Sequence, residues 1–120
     1  MNGQVDDYGR ALIAVSILSP SADTARQIDA WIDTGFNGDL VLPAKVIEEP
    51  QLQHPGTVKA ILADGPEVAL KTYACTIDWF DEQRHLEVVA NSGEYPLLGV
   101  GLLLSRELRI SYRTGEIKIQ

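Results

Sequence analysis

The stretch "AWIDTGFNGDLVLP", Ala30 to Pro43, sets an aspartate and two glycines between one apolar run and a second that ends in proline. Asp, Thr, Asn and Gly are turn formers in their own right, because Asp and Asn side chains bond their own backbone and Gly supplies positive φ. Asp33 is therefore either a plain connector between two strands or a carboxylate that the turn exists to present. The rest of the chain has to decide between them.

Working outward, residues 25–32 alternate, with Ile28, Ala30 and Ile32 on one face and Gln27, Asp29 and Trp31 on the other, which is the period of a half-buried strand. Before it, "ALIAVSIL" (11–18) is β-branched and apolar and is stopped by "SPSADT". After it, "DLVLP" reads as a short strand and "PAKVIEE" as a helical turn, with Pro43 suited to a first helical position and Pro50 ending it. From Thr57 to Trp79, "TVKAILA" and "EVALKTYACTIDW" flank "DGP" and form a long hairpin with its tip at Asp64 and Gly65. "RHLEVVA" (84–90) returns after the turn "DEQ". Gly99 then follows the strand end Leu97–Leu98, a short helical stretch comes next, and the hairpin "LRISYRTGEIKIQ" turns at Thr114 and Gly115. Short strands at about ten-residue spacing imply an all-β barrel or sandwich.

The bulk properties narrow the functions. One hundred and twenty residues make one domain, with residues 1–9 expected as a tail and 10–120 as the folded unit. A net charge of −7 repels phosphate backbones and anionic lipid, so neither nucleic acid nor membrane is expected as a partner. The N-terminus carries acids where a signal peptide carries bases, and the apolar run of 11–18 is too short to span a bilayer, which points to a cytoplasmic protein. The one cysteine, Cys75, is expected to be a buried apolar residue. His54 and His85 stand apart from any ligand cluster, so no metal and no cofactor are expected.

Three features stand in order: "IDTGFNGDLVLP", the "DGP" hairpin about thirty residues on, and "PLLGVGLL" in the last quarter. Together they resemble the retropepsin-like (clan AA) aspartic proteases, in the small microbial form. The resemblance spans residues 10–120 and implies a closed β barrel with one or two short helices. Carried over, Asp33 matches the catalytic aspartate, Thr34 the hydroxyl that bonds across a dimer beneath the site, and Gly35 the position where backbone meets substrate. Phe36, Asn37, Leu98 and Gly99 fall in the substrate-binding positions, and Ala63, Asp64 and Gly65 form the flap over them. Leu97, Leu98 and Gly99 match the support behind the aspartate. Retroviral members carry Ala and Asp after Asp-Thr-Gly and an Arg after the later glycine, forming an ion pair; here Phe36, Asn37 and Val100 stand instead.

The resemblance implies peptide hydrolysis by two aspartates sharing one proton. The chain holds a single Asp-Thr-Gly, so a working site requires a homodimer, with a peptide or protein substrate lying extended between the subunits. Two other readings are open. An aspartyl-phosphate enzyme wants an acid two positions after the nucleophile, where Gly35 stands, and an alternating strand–helix chain that this is not. A catalytically inactive module with the same barrel would bind peptides or proteins without cutting.

Overall fold

The computed structural model describes residues 1–19, 24–48, 56–61, 67–91 and 93–120. In chain order these form β1 (Asn2–Val5), β2 (Ala11–Leu18), β3 (Ala25–Ile32), β4 (Leu40–Pro43), α1 (Ala44–Glu48), β5 (Gly56–Ile61), β6 (Glu67–Trp79) and β7 (Glu82–Asn91). Then come β8 (Leu97–Leu98), a 3-10 turn at Val100–Leu102, β9 (Leu108–Ile110) and β10 (Glu116–Ile119). The fold is all-β, as the spacing of the apolar runs predicts. His54 and the expected flap tip Ala63, Asp64 and Gly65 lie outside the described residues.

The strands form one sheet in the order β5-β6-β7-β4-β8-β3-β2-β1-β10-β9. The sheet bends back on itself where β2 meets β6 over Ser16↔Asp78, Ile17↔Ile77 and Leu18↔Thr76. Closure rests on that short contact alone, and β5, β1, β10 and β9 lie outside the circuit it makes, so the expected closed barrel is realised only in part. The reason is length: β2 reaches β6 only with its last residues, while its first residues are taken by β1.

Alternation builds the interior. Ile28, Ala30 and Ile32 of β3 are buried, as are Ile13, Val15 and Ile17 of β2, and the antiparallel register sets Val15 against Ile28 and Ile13 against Ala30. Each such aliphatic side chain withdrawn from water contributes about 1.5–3 kcal/mol. Cys75 lies within this core, where desolvation pushes its thiol up to about 12 and keeps it protonated and inert. Among the described residues no helix is long and apolar enough to cross a membrane.

Two differences from the sequence reading stand out. Residues 1–9 contribute β1, which pairs with β10 through Asn2↔Lys118, Gly3↔Ile117 and Gln4↔Glu116. Met1 N donates to Ile119 O and Ile119 N donates to Met1 O, both at 2.8 Å. The strand is short, polar and only half-buried, which is why period-two counting passes over it. The second difference is the β6–β7 turn, which falls at Phe80 and Asp81 rather than at "DEQ". Both residues take positive φ, 54° and 62°, without a glycine to mark them. Arg106 stacks 3.6 Å over the Phe80 ring and covers this tip.

Candidate active site

Asp33 follows β3 directly, and the chain from 33 to 39 turns back into β4. Between those two strands runs β8, parallel to β3 through Trp31↔Leu97 and Ile32↔Leu98 and antiparallel to β4 through Leu40↔Leu98 and Val41↔Leu97. The turn thus crosses the end of a strand that it brackets on both sides. Leu98 is fully buried, and its carbonyl accepts the Asp33 N–H at 2.9 Å.

Main-chain bonds then lace the turn to the segment after β8. Gly99 N donates to Asp39 O at 2.9 Å, Val100 N to Phe36 O at 2.8 Å and Gly101 N to Gly38 O at 2.9 Å. Such close backbone approach leaves no room for side chains. A Cβ on Gly99 would collide with the carbonyl oxygens of Gly38 and Phe36, the latter at 2.7 Å. Glycine at 99 is a steric requirement of the lacing.

Within the turn, Gly35 N donates to Asp33 Oδ1 at 2.9 Å and Phe36 N to Asp33 O at 3.1 Å. These are the bonds expected of an aspartate opening a turn. Oδ2 takes no hydrogen bond among the described residues, and Asp33 is half-buried. Thr34, Gly35 and Asn37 are exposed, and neither the Thr34 hydroxyl nor the Asn37 amide is bonded among the described residues. Phe36 is half-buried, with its ring lying over Gly38 and Gly99. The structure therefore brings Asp33, Thr34, Gly35, Phe36, Asn37, Leu98 and Gly99 together around one strand end.

A neighbouring cluster escaped the sequence reading. Arg10 lies 4.1 Å over the Tyr95 ring, 5.0 Å over Tyr8 and 6.0 Å over Trp31, and its Nε pairs with Asp6 Oδ2 at 2.6 Å. Trp31 and Tyr95 meet edge to face, with centroids 6.2 Å apart. Trp31 sits two residues before Asp33 and Tyr95 two before Leu97, so the cluster flanks both segments that frame the turn. The available signal was Trp31 itself, a large apolar residue on the outward face of an alternating strand.

Comparison with known proteins places the fold. No protein-family model matches the sequence, and no curated protein matches it either. Among solved structures, the retropepsin-like aspartic protease of Rickettsia conorii superposes with a TM-score of 0.66 at 13% identity, covering 98% of this chain and 86% of that one. The protease of simian foamy virus matches with a TM-score of 0.51 at 17% identity, covering 77% of this chain and 92% of that one. The EIAV protease, in complex with the inhibitor HBY-793, gives 0.56 at 17% identity, over 80% of this chain and 86% of that one. The likeness at such identities is one of fold, and the fold of this chain is retropepsin-like.

Proposed function

We propose that the protein is an aspartic endopeptidase whose active site forms when two copies bring their Asp33 carboxylates together on a two-fold axis. The observation that carries the reading is the state of Asp33: one carboxylate oxygen is fixed by Gly35 N–H, while the other takes no bond among the described residues. It is supported by a fold shared with three proteases. Two adjacent carboxylates share one proton, because like charges that close do not both ionise. The ionised member takes a proton from water as the oxygen attacks the peptide carbonyl, and the protonated member gives its proton to the carbonyl oxygen. The resulting gem-diol then collapses as the C–N bond breaks: the aspartate that took the water proton gives it to the leaving nitrogen, and the other takes a proton from a gem-diol hydroxyl, which leaves a carboxylic acid and the dyad with one proton again.

Thr34, exposed and unbonded among the described residues, is the hydroxyl assigned to the contact between the two turns. A peptide or protein substrate lies extended over the turns; the flap expected at Ala63, Asp64 and Gly65 falls outside the described residues.

A non-cutting peptide-binding module is the second reading, favoured by the Phe36, Asn37 and Val100 positions where the ion pair of retroviral members is missing. One experiment separates the two. Wild type and Asp33→Asn are incubated with unfolded polypeptide between about pH 3 and about pH 8, a span wide enough for both limbs of a bell. The endopeptidase predicts cleavage that rises and falls with pH and is lost in Asp33→Asn. Absence of cleavage at every pH, with peptide affinity unchanged by Asp33→Asn, establishes the binding module instead. Sedimentation across a concentration series with peptide present tests the dimer, and a strict monomer rules out the dyad.

A further inference from the structure

The Asp33 turn has no ion pair to brace it: among the described residues the salt bridge present is Asp6–Arg10, in another turn. Beyond its main-chain bonds to residues 99–101, the seven-residue excursion has a side chain seated against that segment. The residue is Phe36. Its N–H donates to the Asp33 carbonyl at 3.1 Å and its carbonyl accepts Val100 N–H at 2.8 Å, so one residue joins the carboxylate-bearing end of the turn to the segment beneath. Its ring occupies the space that side chains at two neighbouring glycines would need. A Cβ on Gly38 would meet the ring at Cζ and at Cε1, the latter at 2.8 Å, and a Cβ on Gly99 would meet Cδ2 at 2.5 Å.

We propose that Phe36 is a positioning residue: its ring, seated over Gly38 and Gly99, holds the Asp33 turn onto the 99–101 segment and so fixes the carboxylate. The proposal rests on the reading of Asp33 as the reactive group, and it gives Phe36 a bracing role in place of contact with substrate. A ring packed against two glycines and tied by its own main chain on both sides restrains the turn without charge, so the brace is insensitive to salt. Its loss does not remove the carboxylate, only the constancy of its direction, and small misplacements of a reacting group are costly.

Gly38 offers a way to move the ring without altering Phe36. The three atoms nearest its Cβ all belong to the Phe36 ring, and its φ is not in the left-handed region, so Gly38→Ala acts first on the ring. Gly99→Ala does not isolate the ring in this way, because two of its obstacles are carbonyl oxygens.

The test uses the full chain, with Phe36→Ala, Gly38→Ala and the double variant. Amide hydrogen exchange at Gly35 and Val100, the donors to Asp33 Oδ1 and Phe36 O, reads the turn directly. Both single variants should exchange faster at these two amides, and the double variant no faster than Phe36→Ala alone. In cleavage, kcat should fall by about 10- to 100-fold in either single variant with KM little changed, and again without further loss in the double. Unchanged exchange at both amides in Phe36→Ala overturns the proposal, as does an additive double variant. A rise in KM at constant kcat overturns it too, because that makes the ring a substrate contact. If wild type cleaves nothing, the endopeptidase reading fails by itself, and exchange alone decides whether the ring holds the turn.

Discussion

Two turns in this molecule begin with an aspartate and share their local bonds. In the first, Asp6 Oδ1 accepts Tyr8 N–H at 3.0 Å and Asp6 O accepts Gly9 N–H at 3.0 Å. In the second, Asp33 Oδ1 accepts Gly35 N–H at 2.9 Å and Asp33 O accepts Phe36 N–H at 3.1 Å. They part beyond those bonds. Asp6 Oδ1 also takes Arg10 N–H at 2.9 Å and Oδ2 takes Arg10 Nε at 2.6 Å, so its carboxylate is consumed where it stands. Asp33 keeps one oxygen unbonded among the described residues, and its turn is anchored to residues distant in sequence, from Leu98 to Gly101. Asp6 spends its acceptors on its own turn, whereas the Asp33 turn is held from elsewhere.

The largest expected effect breaks the pair apart by function. On the proposed endopeptidase reading, Asp33→Asn should lower cleavage by roughly 10²-fold or more, the range for removing a group that transfers protons in the reaction. Asp6→Asn should leave the cleavage rate where it is. Equal losses in the two variants would make the distinction between the turns meaningless.

A smaller effect concerns the distant anchoring. Gly99→Ala drives a methyl into the Gly38 and Phe36 carbonyl oxygens, which cannot rotate away as a side chain would. The overpacking should cost about 1–3 kcal/mol, read as a fall in Tm by thermal melting. Gly9→Ala in the other turn meets no atom within 4 Å, and its penalty is confined to a φ of 80° that Ala rarely adopts. A Gly99→Ala variant that melts with wild type would mean that the Asp33 turn is not laced as described.

The smallest effect lies in acid and belongs to Asp6 alone. Desolvation raises its pKa, but hydrogen bonds from Arg10 and Tyr8 outweigh it, and the net displacement is downward from 3.8. The depressed folded-state value means that this carboxylate adds stability above the unfolded value and gives it up as pH falls through the folded one. Wild type and Asp6→Asn should therefore differ slightly in urea midpoint near neutral pH and converge as the pH falls through the folded-state value, which lies below 3.8. A difference that persists or widens in acid would contradict the ion pair.

The likeness of the two turns also explains how much was legible in the sequence. Strand β3 was readable by its period-two alternation, β2 by its β-branched apolar run and β10 by the hairpin turn at Thr114 and Gly115. The sequence around Asp33 announced a turn, and its order relative to the hairpin and to Leu97–Gly99 suggested the family; local chemistry did not separate it from Asp6, whose own turn went unnoticed. What separates them is tertiary. The Leu98 carbonyl, the Gly99 space and the seat of the Phe36 ring arise only when β8 is threaded between β3 and β4. Arg10 with its aromatic neighbours was hidden for the same reason, since Tyr8, Trp31 and Tyr95 come from three separate segments. The turn at Phe80 and Asp81 was misplaced because positive φ there is imposed by the pairing of two long strands, with no glycine to signal it.

The exchange of hydrogen bonds between Met1 and Ile119 makes the two ends of the chain next-door neighbours in one sheet. Topologically the molecule is almost a ring. A short flexible linker from Gln120 to Met1 would close it without disturbing a strand pair, and the ring could be reopened between Phe80 and Asp81, beyond the last β6–β7 pair, Trp79↔Glu82. Such a circular permutant should keep the far-UV spectrum of the parent chain, with the Asp33 turn moved from the first third of the sequence to its second half and its surroundings unaltered.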